Sequence, residues 1–329
     1  MKDFYPSYYK EFRCIAADCP DSCCQGWDVV IDSDTESRYN TVQGEIGDKL
    51  RAAIYTDADG DRVFRLKEGQ KCPFWGEDKL CDIYRELGEE YLCVTCARFP
   101  RLTMNYTVFC ERSLALACPE AARLITGADH AYDSFDLTDA DECDDYSPEL
   151  MTFLLRARKH SADILSPDLP LKDRLTELIR YNADIQNQLT GERSAAVEKA
   201  SDCKYIFELY SKLEYIDPKH REMVLNSAVD KPDFSAHEAE YTRLAMYWLY
   251  RLYLNAIDTA DVMSNIAMTV CSLIVTAAIA GRYSLSVDKA AQIYSKEFEQ
   301  SYENTERLYD EFKYDPLFSA ESLIGLLSN

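Results

Sequence analysis

Ten of the thirteen cysteines in this 329-residue chain lie between Cys14 and Cys118. They arrive in four groups. Cys14, Cys19, Cys23 and Cys24 stand in "CIAADCPDSCCQGW", Cys72 and Cys81 bracket "PFWGEDKL", Cys93 and Cys96 form a C-x-x-C in "LCVTCARFPR", and Cys110 and Cys118 close the series. Short-spaced thiols suit a metal because tetrahedral sulfur coordination needs four thiolates converging on one point, which nearby residues achieve without a large core. None of the four histidines falls in this region, so a metal there is bound by sulfur, as zinc or as an iron–sulfur cluster, and the hard cations are excluded. Spacing alone does not separate zinc from iron. Adjacent Cys23 and Cys24 point apart, so one ligates while the other packs or serves a second site. Arg85, Arg98 and Arg101 accompany the group and can favour thiolates, offset cluster charge or hold a carboxylate. Each also reads as an ordinary surface arginine.

The elements that must position these thiols divide the chain into a cysteine-rich metal-binding region over 1–128 with little strand, an acidic linker over 129–147, and an α-helical bundle over 148–329. The expected fold class is mainly α. Trp27–Asp32 and Arg62–Leu66 read as short strands, with Thr56–Asp61 as a turn between a helix and the second of them. The linker "DHAYDSFDLTDADECDDYS" has eight carboxylates and no lysine or arginine. Beyond it, Leu171, Leu175, Leu178, Ile179, Ile185 and Leu189 share one helix face, with Asp168 and Pro170 at its start. Tyr241–Ile257 is apolar around most of its circumference and reads as a central helix. The most apolar stretch, Asn265–Gly281, is short for a bilayer span of roughly 20 residues and reads as a buried core helix. Gly281 offers its stop, Ser286 starts the next helix and Ser319 the last. Cys143, Cys203 and Cys271 read as small buried hydrophobes.

Composition limits the partners. A formal charge of −22 repels phosphate backbones and anionic lipid surfaces, so neither nucleic acid nor a membrane is expected. A lysine ammonium is attracted. The opening "MKDFYPSYYKEF" has no apolar run of secretory length, which points to the cytoplasm and to reduced thiols rather than a disulfide framework. Glycine fingerprints for dinucleotides, phosphate-binding loops, H-E-x-x-H and C-x-x-x-C-x-x-C are all missing.

The stretches "CIAADCPDSCCQGWDVVID", "KCPFWGEDKLCDIYRELGEEYLCVTCARFPR" and "RSLALACPEAARLI" resemble the flagellin lysine-N-methylases, whose cysteine-rich front end is similar to the CxxCxxCC zinc- or iron-chelating proteins. The likeness runs from Cys14 to Ile125 and includes Gly26, Trp27, Phe99, Pro100, Pro119 and Glu120. It implies methyl transfer from S-adenosylmethionine to lysine amines of flagellin in the cytoplasm, and an iron–sulfur cluster of the [4Fe-4S] kind. The expected ligands are a subset of Cys14, Cys19, Cys23, Cys24, Cys72, Cys81, Cys93, Cys96 and Cys118. The spacing C-x4-C-x3-C-C departs from the shorter pattern of the wider group and leaves the ligand set open. Such a reaction needs a deprotonated amine and a sulfonium held in line with it. Asp82, Tyr84 and Tyr91 are the candidates for steering the amine or accepting its proton. Trp27 is the candidate for stacking on adenine or shielding a cluster, and Arg98 and Arg101 for holding the cofactor's carboxylate. Asp82, Tyr84, Tyr91 and Trp27 also read as packing residues. Two other functions compete: a zinc-stabilised protein-interaction module without catalysis, and an electron-transfer or metal-handling protein.

Overall fold

A computed structural model describes residues 2–133, 145–166, 168–191, 202–229 and 231–328. The fold is mainly helical, as expected. The acidic linker lies for the most part outside the described residues, and Cys143 with it.

The helical half is built around Val262–Tyr283, buried almost throughout its length. It is long and apolar enough to cross a membrane, yet 94% of its most apolar window is buried inside the protein. Asp261 caps its start by accepting the Ser264 N–H at 2.9 Å. The helix runs through Gly281 and stops at Ser284, whose φ of 51° is left-handed, so Gly281 is not the stop. Helices Leu171–Thr190, Glu238–Leu252, Val287–Tyr294 and Tyr302–Tyr314 pack around it. The central aromatic helix begins at Glu238 and ends at Leu252, earlier than Ile257, giving way to a 3₁₀ turn. Pro170, not Asp168, occupies the N-cap of Leu171–Thr190, and the Glu238 carboxylate accepts the Leu171 N–H at 3.1 Å. Ser286 and Ser319 stand at the N-caps of Val287–Tyr294 and Ala320–Leu327 as read.

Among the described residues, five short strands serve the first third. β1 (Lys2–Phe4) lies parallel to β5 (Phe109–Leu114), and β4 (Arg101–Asn105) pairs antiparallel with β5 on its other side. β2 (Ile54–Thr56) and β3 (Arg62–Phe64) form a hairpin across the expected turn. Trp27–Asp32 is not a strand: only Val30 bridges to Val63, because the segment turns from the cysteine loop into the cap of the next helix.

Apolar packing does not follow chain order. Tyr8, Phe12, Phe109, Leu114, Leu116 and the buried face of the Pro119–Gly127 helix join the core of the helical bundle. A second, small core contains Val29, Ile31, Tyr39, Val42, Leu50, Phe64, Phe74 and Ile83 together with Cys72 and Cys93. The sheet is fastened to the bundle by a buried ion pair, in which Arg158 donates to both Glu111 carboxylate oxygens, at 2.8 and 2.5 Å, and lies over the Tyr250 ring. Removing one partner strands a buried charge, which costs about 3–5 kcal/mol. Urea denaturation of Glu111→Ala and Arg158→Ala is expected to show losses of that size. The double variant should lose clearly less than their sum, and full additivity would show the pair uncoupled.

Candidate functional site

No described cysteine is joined to another in a disulfide. Electrostatic interactions run between many thiols of the first third: Cys118 with Cys14 and Cys19, Cys23 with Cys24, Cys14 and Cys118, Cys72 with Cys24, Cys81 and Cys93, and Cys96 with Cys93, Cys72 and Cys24. Cys110 is buried in β5, its thiol donating to the side-chain Oδ1 of Asn105 at 3.8 Å. Cys203 and Cys271 are buried in the helical core as read. As the side chains stand, no group of three or more Cys, His, Asp or Glu among the described residues could hold a metal ion.

Local folding places three of these thiols. Cys81, Cys93 and Cys118 occupy the N-caps of Asp82–Leu87, Val94–Arg98 and Pro119–Gly127. At such positions backbone N–H groups favour a thiolate. Burial nevertheless raises Cys118 to about 11, against the amides of Ala121 and Glu120. Burial likewise raises Cys72 to about 12. Two thiols move the other way: hydrogen bonds from Cys23 and from Cys96 lower Cys24 to about 7 and lower Cys93. Asp32 links the pieces of the small core. It caps Ser33–Thr41 through the Thr35 N–H at 2.9 Å and accepts the Val94 N–H, beside Cys93, at 3.0 Å. Burial opposes its charge, but the N–H groups of Val94 and Thr35 and the Thr35 hydroxyl hold its carboxyl below the ordinary range.

Where the cysteine loop meets the bundle, the structure builds a polar junction. Lys296 Nζ is 2.8 Å from Asp21 Oδ1 and sits 5.3 Å from the centre of the Trp27 ring. Gln292 Nε2 donates to Asp21 Oδ2 at 2.7 Å and to the Ala117 carbonyl at 3.2 Å. Trp27 Nε1–H donates to the Cys23 carbonyl at 3.0 Å, and its ring packs 5.4 Å from Phe99. Gly26, at φ +101°, admits this approach, since a Cβ there would stand 3.0 Å from Ile216 and 3.4 Å from Lys296. Lys296 lies in a single π turn, Ser295–Glu299, a distortion that recurs at functional sites. The turn is held by Glu297, which accepts from the Ile216 N–H and pairs with His220 Nδ1, each at 2.6 Å. Burial lowers Lys289, against the attraction of Asp21.

The six residues read from sequence do not converge equally. Trp27 reaches the junction. Asp82 is engaged by Lys49 at 2.9 Å and by Arg85, so it is not a free base. Arg85 also pairs with Asp78. Tyr84 is 55% exposed, whereas Tyr91 is half-buried and its carbonyl accepts the Tyr39 hydroxyl at 2.8 Å. Arg98 is exposed at the end of its helix, and Arg101 stacks over Phe12 at 5.1 Å. Asp21, Lys289, Gln292, Lys296 and Glu297 were not singled out from sequence. The available signal was "VDKAAQIYSKEFE", where lysine, glutamine and glutamate interrupt an otherwise apolar helix face.

Glu299, on the same π turn, accepts the Trp248 indole N–H at 2.6 Å. Burial raises its carboxyl above the ordinary 4.5, against Ser295, Arg251 and Trp248. A raised folded pKa makes the native state the better proton binder, so this group's contribution falls as pH climbs from about 4.5 through the folded value. Glu299→Gln, which keeps the acceptor, is therefore expected to raise the melting temperature at pH 7–8, with the gain shrinking toward pH 5. A gain independent of pH would refute the buried-charge account.

No protein-family model matches the chain, and no solved structure matches it. Curated relatives do. The flagellar biosynthetic protein FliU of Salmonella muenchen is 32% identical over 133 residues, covering 36% of this chain and 74% of that protein. The lysine-N-methylases of Salmonella choleraesuis and Salmonella typhimurium are 32% and 30% identical over 133 and 125 residues, in each case 36% of this chain and 31% of the relative. The match thus spans about a third of the two methylases.

Proposed function

We propose, for a chain that belongs to the flagellin lysine-N-methylase family, that it transfers a methyl group from S-adenosylmethionine to lysine side-chain amines of flagellin in the cytoplasm. The observation that carries this reading is the stretch shared with FliU and with two proteins named for lysine N-methylation. In the reaction the amine lone pair forms the new C–N bond as the methyl–sulfonium bond breaks, leaving S-adenosylhomocysteine, and the amine sheds one proton. Only the neutral amine is nucleophilic. Strong negative charge draws the lysine ammonium toward the protein. Trp27, its indole N–H fixed on the Cys23 carbonyl, offers a ring face for the adenine. Arg98 and Arg101, both exposed, are available to a methionyl carboxylate. Tyr84 and Tyr91 remain the candidates to steer the amine, while Asp82 serves to lock its helix through Lys49 and Arg85.

An iron–sulfur cluster held by a subset of the nine cysteines is part of this reading; its support is the donor chemistry, free thiols concentrated from Cys14 to Cys118, while no three of them stand close enough to hold a metal as the side chains lie. Such a cluster would supply a soft, redox-capable centre. Thiols near one another also suit zinc, and zinc alone would favour a non-catalytic interaction module.

The test is anaerobic purification, quantification of iron, zinc and sulfide, and incubation with flagellin and S-adenosylmethionine. Methyl-lysine detected by mass spectrometry is expected only when S-adenosylmethionine is present. If no residue lowers the target's pKa, the rate should climb about tenfold per pH unit below the lysine pKa of about 10.4. Stoichiometric zinc, no sulfide and no methyl-lysine would replace this reading with the interaction module.

A further inference from the structure

We propose that the outer edge of β4 is a docking edge for an extended segment of the protein substrate, which joins the sheet as a further strand and carries its lysine toward Trp27. The inference rests on the methyl-transfer reading only for the identity of the occupant. The edge itself is a property of the backbone.

In the sheet order β1-β5-β4, β4 has β5 on one side and no strand on the other. Its register with β5 is constant, from Arg101 opposite Leu114 to Asn105 opposite Cys110. Hydrogen bonds just beyond both ends of the strand fix the phase of the ladder: the Ala115 N–H donates to the Pro100 carbonyl at 2.8 Å, and the Tyr106 N–H donates to the Phe109 carbonyl at 2.9 Å. Antiparallel ladders alternate hydrogen-bonded and non-hydrogen-bonded pairs, so Leu102 and Met104 turn their N–H and C=O groups to β5 as Pro100 and Tyr106 do. Arg101, Thr103 and Asn105 turn theirs outward. Among the described residues none of these outward backbone groups meets a hydrogen-bond partner. All three residues are exposed, whereas Leu102 and Met104 between them are half-buried.

Strand edges are ordinarily blunted against pairing by bulges, prolines, charges or a covering segment. Here no bulge interrupts the register, no proline follows Pro100, and Arg101 is the strand's one charged residue. The occupant follows from where the edge leads. Phe99, which precedes Pro100 and β4, packs its ring 5.4 Å from that of Trp27. A strand that pairs with Asn105, Thr103 and Arg101 and then continues comes alongside Phe99 within about 7 Å of extended chain. A lysine carried there by the added segment lies at the junction where Trp27 offers its ring. Pairing of this kind reads backbone and not side chains, so segments of different sequence around different lysines can use the same edge.

The experiment uses the full chain and purified flagellin from the same cell. In the free chain, amide hydrogen exchange is expected to be fast at Arg101, Thr103 and Asn105 and slow at Leu102 and Met104. With flagellin in excess, the three outward amides should slow at least about tenfold. Thr103→Pro removes one outward N–H and sets a ring into the edge while sparing the ladder to β5, and it should weaken flagellin binding at least about tenfold. Thr103→Val also loses the contact from Arg112 Nη1 at 3.3 Å but keeps the N–H, and should bind as the wild type does. Equal binding by Thr103→Pro and wild type, no slowing on addition of flagellin, or slow exchange at the three amides already in the free chain overturns the proposal; the last outcome assigns the edge to the chain itself or to a second copy. Should Thr103→Pro fail to fold, the exchange measurement on the wild type decides. Methyl-lysine formed without slowing at these amides would strike the docking edge and leave the enzyme reading. Slowing without methyl-lysine would do the reverse.

Discussion

The placement of the cysteine loops depends on one buried ion pair, Lys296 with Asp21. An ammonium taken out of water is tolerated only when a carboxylate and other polar or aromatic groups replace its hydration. Here Asp21 supplies the charge and the Trp27 ring a face. Gln292 satisfies the second Asp21 oxygen and carries the tie onward to Ala117. Lifting the loop from the bundle would leave Lys296 unpaired among apolar side chains, so the first cysteines keep to the Pro119–Gly127 helix. The π turn contributes by re-aiming Lys296 and Glu297 away from the register that a continuous α-helix would impose.

On the far side of that junction the constraint is size. The small core has ten buried apolar or thiol residues, too few to order the segments from Val29 to Cys93 by burial alone. Backbone and carboxylate ties supply part of the remaining order. Asp32 joins two helices, Arg51 reaches the Tyr39 and Val42 carbonyls, and Tyr39 bonds the Tyr91 carbonyl. Three of the thiols, Cys81, Cys93 and Cys118, stand at the N-caps of short helices and enter or flank the two cores from there.

Legibility differed from residue to residue for physical reasons. The apolar faces of Leu171–Thr190 and Val262–Tyr283 were readable because helical packing repeats every 3.6 residues. Trp27–Asp32 misled, since its alternating apolar residues serve the small core from a turn and not from a ladder. Asp82 read as a base because it neighbours Cys81, yet its charge is consumed by Lys49 and Arg85. Asp21 carried no signal: an aspartate in a loop looks solvated until its partner is known.

The sequence by itself determined that the chain is mainly helical, that ten of its thirteen cysteines lie between Cys14 and Cys118, and which family that stretch resembles. These are local properties, written in spacing and periodicity. Only the tertiary structure decided that Asp21 faces a lysine 275 positions later. Long-range pairing of this kind is selected by the desolvation of charges at a packed interface, and that cost exists only once both surfaces have been brought together.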